Sequence, residues 1–411
     1  MQENDGCDLL FRQTRCKITI CYRSVGKRIF SNKQTNVKSE MNAMKKMICA
    51  PGSYIQGSGE LGNLAEYCRA VGGNGAYLIV SKSAYAAWKE RIDGGFQKSG
   101  MPYAVERFGG ECCREEICKH LEQSKNYDVI VGIGGGKVLD TAKAAAFYAQ
   151  KHVIIAPTIA STDAPCSRLA VIYSAQGVYE CALALRSNPD IVLADTEIIA
   201  KAPVRFLTAG IGDALATYYE ADACEKSGAE TTVGGYRTTA APVLAKLCRD
   251  NLLEYGVQAQ KDAAQGELTP AVEKIIETNI YLSGIGFESG GLAAAHAVHN
   301  GLTVLEETHR LLHGEKVAFG TLVQLVLEHR SADEIHEILA FCRACGLPTT
   351  LRELGLEHVG DERLLEAAKA SCQAEDTMGN LPFAVTPEDV LAAMKLTDLL
   401  SRTFDLLDRR V

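Results

Sequence analysis

No stretch of the 411 residues stays apolar for the ~18–20 positions that a membrane-crossing helix requires, so no membrane span is expected. No unit of roughly 20–50 residues recurs, which with the ordinary composition excludes repeat arrays, collagen-like chains and wholesale disorder. Basic charge is in short supply: 43 Lys and Arg stand against 51 Asp and Glu, for a net charge of -8. With a pI near 5.7, that balance argues against a general nucleic-acid binder. The amino terminus has no apolar signal-type segment, so the expected location is cytoplasmic and no oxidising compartment is implied. The fifteen cysteines accordingly read as thiols and not as a disulfide framework. Cys68, Cys166, Cys181, Cys224, Cys248 and Cys372 lie scattered in apolar helical or strand-like text. Cys342 and Cys345 form a C-x-x-C inside a helical pattern, with no second such pair to complete a zinc knuckle.

What is present describes a soluble globular chain: 47% hydrophobic and 23% charged residues, with a mean hydropathy of -0.03. The length suits two or three domains. Residues 1–43 stand apart, with eight Lys/Arg and four Asp/Glu and no acid between Asp8 and Glu40. They are expected to be a disordered extension, the alternative being a transit-type segment. From residue 44 to 203, short apolar runs alternate with segments of 3.6-residue period. The strands expected there are Tyr77–Ser81, Ala104–Phe108, Tyr127–Ile133, Val153–Ala156, Ala170–Tyr173 and Ile191–Ala194. Strand, helix, strand with glycine at the joints predicts an α/β domain built on a parallel sheet. From 204 to 411 nearly everything reads as helix: Asp213–Lys226, Thr238–Glu254, Pro270–Ser283, Leu292–Leu302, Glu315–Glu328, Ala332–Cys345 and Pro387–Leu407. The second domain is therefore expected to be all-helical.

Three patterns carry chemistry. Gly132-Ile-Gly-Gly-Gly-Lys137 joins a strand to a helix, where consecutive glycines let backbone amides approach a pyrophosphate at the positive end of the helix. It is not a P-loop, because Val131 and Val138 stand where glycine and Ser/Thr are needed, nor is it G-x-G-x-x-G. It marks either a tight turn alone or a phosphate cradle, and its place on the third strand-like run favours the cradle. Pro157-Thr-Ile-Ala-Ser-Thr-Asp-Ala-Pro-Cys-Ser167 follows the next strand, at the end where open α/β sheets bind ligands. Its single charge, Asp163, is either a turn former or a group that recognises a substrate hydroxyl. In the helical half, Asp213 near an expected helix start, His296 and His299 on a small-residue helix, and His313 before another supply a carboxylate and imidazoles. Those donor types suit a divalent ion such as Zn²⁺ or Fe²⁺, although any one histidine could be a satisfied core residue.

Taken together, GIGGGK…DTAK, PTIASTDAPCS, GIGDALAT, SGIGFESGGLAAAHAVHNGLT and HGEKVAFGTLVQLVLE closely resemble the glycerol dehydrogenases, a branch of the metal-dependent (iron-type) alcohol dehydrogenases. The resemblance runs from about Met47 to the carboxyl terminus. It implies an amino-terminal dinucleotide-binding domain, a helical carboxyl-terminal domain, a metal in the cleft between them, and a homo-oligomer, commonly an octamer. By motif, the metal ligands and catalytic centre would be Asp213, His296 and His313, with His299 a neighbour of unassigned duty. Gly134, Gly135, Gly136 and Lys137 would meet the pyrophosphate, and Thr158, Ser161, Ser167, Leu169, Val171 and Tyr173 would line the cofactor. Asp163 would bind the substrate polyol and Phe287 would form part of the pocket wall. The implied reaction is reversible, NAD-dependent oxidation of glycerol to dihydroxyacetone, with Zn²⁺ (or Fe²⁺) as Lewis acid and no protein nucleophile.

Three departures from the family pattern are visible. One is the amino-terminal extension. Another is Glu375-Asp-Thr-Met-Gly-Asn380, which lacks the histidine of an Glu-Thr-Ile-His-Asn-like stretch. The third is Lys82, standing after Tyr77–Ser81 where an acid would contact the adenine ribose; it predicts weaker discrimination against NADP. Other small polyols, hydroxyketones or a glycerol phosphate remain alternative substrates. A non-catalytic metal- or nucleotide-binding protein is the alternative from another class, disfavoured by the retained ligand set and Asp163.

Overall fold

The computed structural model describes residues 45–408, so the expectation for residues 1–43 lies outside the described residues. Six parallel strands form the central sheet: β1 (Ser53–Gly57), β2 (Ala76–Val80), β3 (Tyr103–Arg107), β4 (Val129–Gly134), β5 (His152–Pro157) and, after a hairpin, β8 (Ile191–Asp195). The hairpin is β6 (Leu169–Tyr173) and β7 (Tyr179–Ala184). Interleaved helices are α1 (Leu64–Ala70), α2 (Lys82–Ser99), α3 (Arg114–Gln123), α4 (Gly136–Ala149) and α5 (Thr196–Ala200). The sheet order is β1-β8-β5-β4-β2-β3.

The near-continuous apolar strands follow from burial on both faces. Leu78, Val80, Val131, Ile133 and Ile154 pack on one side with Leu64, Ile92 and Phe96 of α1 and α2. Tyr77, Ile79, Ile130 and Ile155 pack on the other with Leu139 and Ala142 of α4. Each fully buried aliphatic side chain is worth ~1.5–3 kcal/mol. The expected strand at Ala170–Tyr173 exists but does not join this sheet. It pairs antiparallel with β7, Ala170 opposite Leu183 and Ile172 opposite Cys181. Strands β1 and β7 escaped the sequence reading because neither is a full apolar run; β1, at the sheet's edge, reads SYIQG.

After β8 the chain is helical: α6 (Val204–Ser227), α7 (Ala240–Ala264), α8 (Pro270–Glu277), α9 (Ser283–Gly290), α10 (Ala294–Leu302), α11 (His313–Leu327), α12 (Ala332–Ala344), α13 (Asp361–Ser371) and α14 (Pro387–Asp408). Helix α13 was not anticipated. Between α8 and α9 the helix widens into a π-turn at Thr278–Leu282. That turn aims Asn279, whose Nδ2 donates to the carbonyls of Ala160 and Leu207, both at 3.1 Å. Among the described residues, no helix is long and apolar enough to cross a membrane. Cys68, Cys166, Cys224, Cys248, Cys342, Cys345 and Cys372 carry free thiols.

Candidate metal and dinucleotide site

Asp213 does not stand near a helix start, as its motif suggested; α6 begins at Val204 and Asp213 lies within it, 1% exposed. Its neighbours Gly210 and Gly212 explain the packing. A Cβ on Gly210 would overlap the carbonyl oxygen of Ala160, and one on Gly212 would overlap that of Gly314. Gly314 is equally constrained, since its Cβ would overlap the carbonyl oxygen of Ala209. Helices α6 and α11 therefore touch backbone to backbone. That close approach delivers His313, the first residue of α11, to Asp213. Arg205 reinforces it with two bonds to Glu315, of 2.7 and 2.8 Å, while Glu315 accepts the Leu312 amide at 2.7 Å.

The result is a cluster of three donors. Asp213 Oδ1 lies 3.0 Å from His313 Nε2 and 3.4 Å from His296 Nε2. One ligand atom from each residue falls within 4.8 Å of the others. Oδ1 of Asp213 is buried and accepts no hydrogen bond. Buried carboxylate oxygens are ordinarily satisfied, and this one faces two ring nitrogens. One carboxylate and two imidazoles are donors that suit Zn²⁺ or Fe²⁺, so the residues present fit a divalent cation. Burial alone would raise the Asp213 pKa, but the imidazoles of His313 and His296 outweigh it and hold the carboxyl below its usual range.

A fourth residue, missed in the sequence, completes the cluster. Glu220 is buried on α6, two turns beyond Asp213. Its Oε2 lies 2.6 Å from His296 Nδ1, and its Oε1 accepts the amides of Ala293 and His296 at 2.8 and 2.9 Å. A carboxylate can only accept, so Nδ1 of His296 carries the proton and Nε2 of the neutral ring is bare toward Asp213. Burial opposes charge on His296, yet Glu220 and Asp213 raise its pKa well above the ordinary value, which favours a second proton, on Nε2, while no cation is bound. Binding a cation at Nε2 would release that second proton and leave the neutral ring with its Nδ1 proton on Glu220. The seven-residue spacing from Asp213 puts Glu220 on the same helical face and was the available signal. His299 lies against the cluster, its Nε2 3.0 Å from His313 Nδ1. Burial first, then the neighbouring His313 imidazole, lowers its pKa well below the usual value.

The loop after β5 meets the same carboxylate. The Asp163 amide donates to Asp213 Oδ2 at 3.2 Å, and the Asp163 side chain accepts Ser283 Oγ at 2.7 Å. Burial first, then the adjacent Asp213, push the Asp163 carboxyl well above its usual range. Phe287 is buried one turn beyond Ser283 on α9. The far end of the loop is anchored to α4: Lys143 Nζ donates to the carbonyls of Ala164 and Leu169, at 3.0 and 2.5 Å, and pairs with Asp140 at 2.8 Å.

The glycine turn lies at a topological switch. From β2 the chain crosses through α2 to β3 on one side; from β4 it crosses through α4 to β5 on the other. Adjacent strands whose connections diverge open a crevice at their carboxyl ends, where α/β sheets bind dinucleotides. Gly135 caps α4 and Gly136 begins it, and a Cβ on Gly136 would meet nothing within 4 Å. Gly134 packs against Val138 and Ser81, where its own Cβ would come within 2.9 and 3.1 Å of their side chains. The Thr158 amide donates to the Gly134 carbonyl at 3.0 Å, which holds the two loops together. Ser161 is partly exposed on the same loop. Lys137 pairs with Glu111 at 2.5 Å and lies 5.3 Å from the centre of the Tyr173 ring. Leu169 and Val171 are half-buried on β6. Ser167 is turned inward, 2% exposed, its hydroxyl donating to Ala164 at 3.0 Å.

Lys82 lies beyond the strand, on the helix that follows it. Strand β2 ends at Val80, Ser81 caps α2 by accepting the Ala84 amide at 3.2 Å, and Lys82 is the first helical residue and exposed. The position that abuts the glycine turn is therefore Ser81.

The chain is similar to known proteins along most of its length. Residues 51–196 match the family model described as iron-containing alcohol dehydrogenase. A glycerol dehydrogenase from Thermotoga maritima is 49% identical over 354 residues, 86% of this chain and 96% of that one. The crystal structure of a probable glycerol dehydrogenase from Sinorhizobium meliloti superposes with a TM-score of 0.82 at 43% identity, covering 87% of this chain and all (100%) of that one. The glycerol dehydrogenase structure from Schizosaccharomyces pombe gives 0.85 at 35% identity, over 90% and 94% of the two chains. With close sequence likeness along nearly the full length of these relatives, the chain belongs to the iron-containing alcohol dehydrogenase family.

Proposed function

We propose that this protein is a glycerol dehydrogenase that oxidises glycerol reversibly to dihydroxyacetone, with Asp213, His296 and His313 holding a divalent metal. The observation that carries the reading is the bare Asp213 oxygen, buried and facing two imidazole nitrogens 3.0 and 3.4 Å away. When bound, the metal supplies a Lewis acid at the substrate oxygen and NAD supplies the hydride acceptor. Glu220 orients His296 through its Nδ1 proton. Asp163, fixed by Ser283, offers its carboxyl group to a substrate hydroxyl beside Asp213. Phe287 helps exclude water. Gly134–Gly136 and the start of α4 receive the pyrophosphate at the strand switch, with Lys137, Thr158, Ser161, Leu169, Val171 and Tyr173 around it. Ser167 shapes that loop from inside.

The donor set accommodates Zn²⁺ and Fe²⁺ alike, and Zn²⁺ is the proposed ion. NAD is the proposed cofactor; Lys82, exposed at the start of α2, contributes no more than the ~1 kcal/mol of a surface ion pair toward a 2′-phosphate. The division at about residue 203, a cytoplasmic location and a homo-oligomer of up to eight subunits belong to the same reading. The test is a panel of polyols with NAD and with NADP, before and after chelation. Glycerol with NAD should give the highest kcat/KM, and chelation or His313→Ala should abolish turnover while the fold persists. Full activity in metal-stripped protein would refute the metal assignment.

A further inference from the structure

The segment Glu375-Asp-Thr-Met-Gly-Asn380, which lacks the expected histidine, docks on the helix that carries His296. It turns through a short 3-10 helix at Thr377–Asn380. Thr377 Oγ1 donates to the Ala293 carbonyl at 2.6 Å and Asn380 Nδ2 to that of Leu292 at 2.7 Å, just ahead of α10. Asp376 reaches the other end of α10, accepting Asn300 Nδ2 at 3.0 Å on Oδ2 and 3.3 Å on Oδ1.

From Asp376 the donors and acceptors follow in one order. An ionised carboxylate only accepts, so the amide of Asn300 must present its NH₂ to Asp376 and its Oδ1 to the other side. That Oδ1 lies 3.0 Å from His299 Nδ1, which must therefore carry a proton. In the neutral ring, His299 Nε2 is then bare and accepts from His313 Nδ1, 3.0 Å away. His313 in turn is left with a bare Nε2, 3.0 Å from Asp213 Oδ1. The opposite tautomer of His313 would place a proton on Nε2 and close a hydrogen bond to Asp213, satisfying the carboxylate internally and competing with a cation.

We propose that Asp376, acting through Asn300 and His299, is a positioning residue that fixes His313 in the tautomer whose bare Nε2 faces Asp213. The inference rests on the ligand set proposed above. It pairs with the Glu220 contact on His296, so each imidazole is held from its far side, one directly and one through two intermediaries. Outer partners of metal-binding imidazoles are worth roughly 10–100-fold in metal affinity.

The test is the Zn²⁺ affinity of the metal-stripped full-length protein, measured by competition with a chromophoric chelator, together with the visible spectrum of the Co²⁺-loaded protein. Asp376→Ala should bind Zn²⁺ about tenfold more weakly and change the Co²⁺ bands. His299→Leu should lose at least as much, and His299→Gln, whose side-chain carbonyl can still accept from His313, should recover part of the loss. Thr377→Val removes the clamp on Ala293 and a 3.3 Å bond to Asp376 Oδ1, but keeps the backbone amide bond to Asp376 and the Asp376 Oδ2 contact with Asn300, and should stay within about twofold of wild type. An Asp376→Ala variant that binds like wild type overturns the relay, and so does a Thr377→Val variant that loses as much as Asp376→Ala. If His313→Ala also binds Zn²⁺ like wild type, the ligand set itself has failed; if His313→Ala loses binding and Asp376→Ala does not, only the relay has.

Discussion

At Asp163 one carboxyl group is buried against another. Its amide serves Asp213 and its side chain is held by Ser283, which itself lies 2.8 Å from Thr217 Oγ1. Among the described residues no cationic side chain bonds to it, which distinguishes it from an ordinary buried carboxylate and suits a group kept for a substrate hydroxyl. Asp163→Asn preserves the shape and an acceptor for Ser283 but changes the hydrogen bond available to substrate. We expect it to raise the KM for glycerol by about tenfold to a hundredfold, the equivalent of ~1.5–3 kcal/mol, and to leave a simple secondary alcohol much less affected. Equal effects on the two substrates would return Asp163 to the role of a loop former. Asp163 was legible because it is the only charge in its loop. Glu220, Asn300 and Asp376 were not, because each acts through a partner that sequence separation conceals. Glu220 and His296 are far apart in the chain, and only the packing of α10 on α6 brings them to 2.6 Å.

The elements explain the geometry better than the side chains do. Two helices can bring a carboxylate and an imidazole to 3.0 Å at their point of contact only if that contact is free of side-chain bulk. Gly212 and Gly314 provide this. Gly314→Ala inserts a methyl group against the Ala209 carbonyl. Forced overpacking of this kind typically costs ~1–3 kcal/mol, and here it should also weaken Zn²⁺ binding by separating Asp213 from His313. Gly94→Ala is the matched control: Gly94 lies inside α2 with nothing within 4 Å of a built Cβ. It should raise stability by up to ~1 kcal/mol. Thermal unfolding and chelator competition on the two variants check both expectations, and a neutral Gly314→Ala would mean the helices have slack. At this scale the sequence reading located most elements by periodicity. It missed the edge strand β1, whose residues are only half-buried, and assigned β6 to the parallel sheet because a short apolar run does not reveal which partner it pairs with.

For the whole molecule, the metal and the fold should be linked. A cation that binds only the native arrangement stabilises it by ~2.7 kcal/mol when its free concentration is a hundred times Kd. Added Zn²⁺ should therefore raise the Tm of metal-stripped protein, and Asp213→Asn should abolish most of that rise. A Tm indifferent to Zn²⁺ in both proteins would count against the assignment. The overall plan, a strand-helix alternation giving way to helices after β8, was readable because the two periodicities differ and the change is abrupt. How the halves meet was not, since the contacts of Ala160 with Gly210 and Asn279 join segments that nothing local connects. The placement of the ligands also has a temporal side. Asp213 and His313 are a hundred positions apart, on helices that meet only when α11 is in place. A chain emerging from the ribosome amino terminus first has the dinucleotide crevice within reach long before it has the cation cluster. On that order a bound ion would not seed this protein's folding; it would arrive as the clasp on a molecule already almost closed.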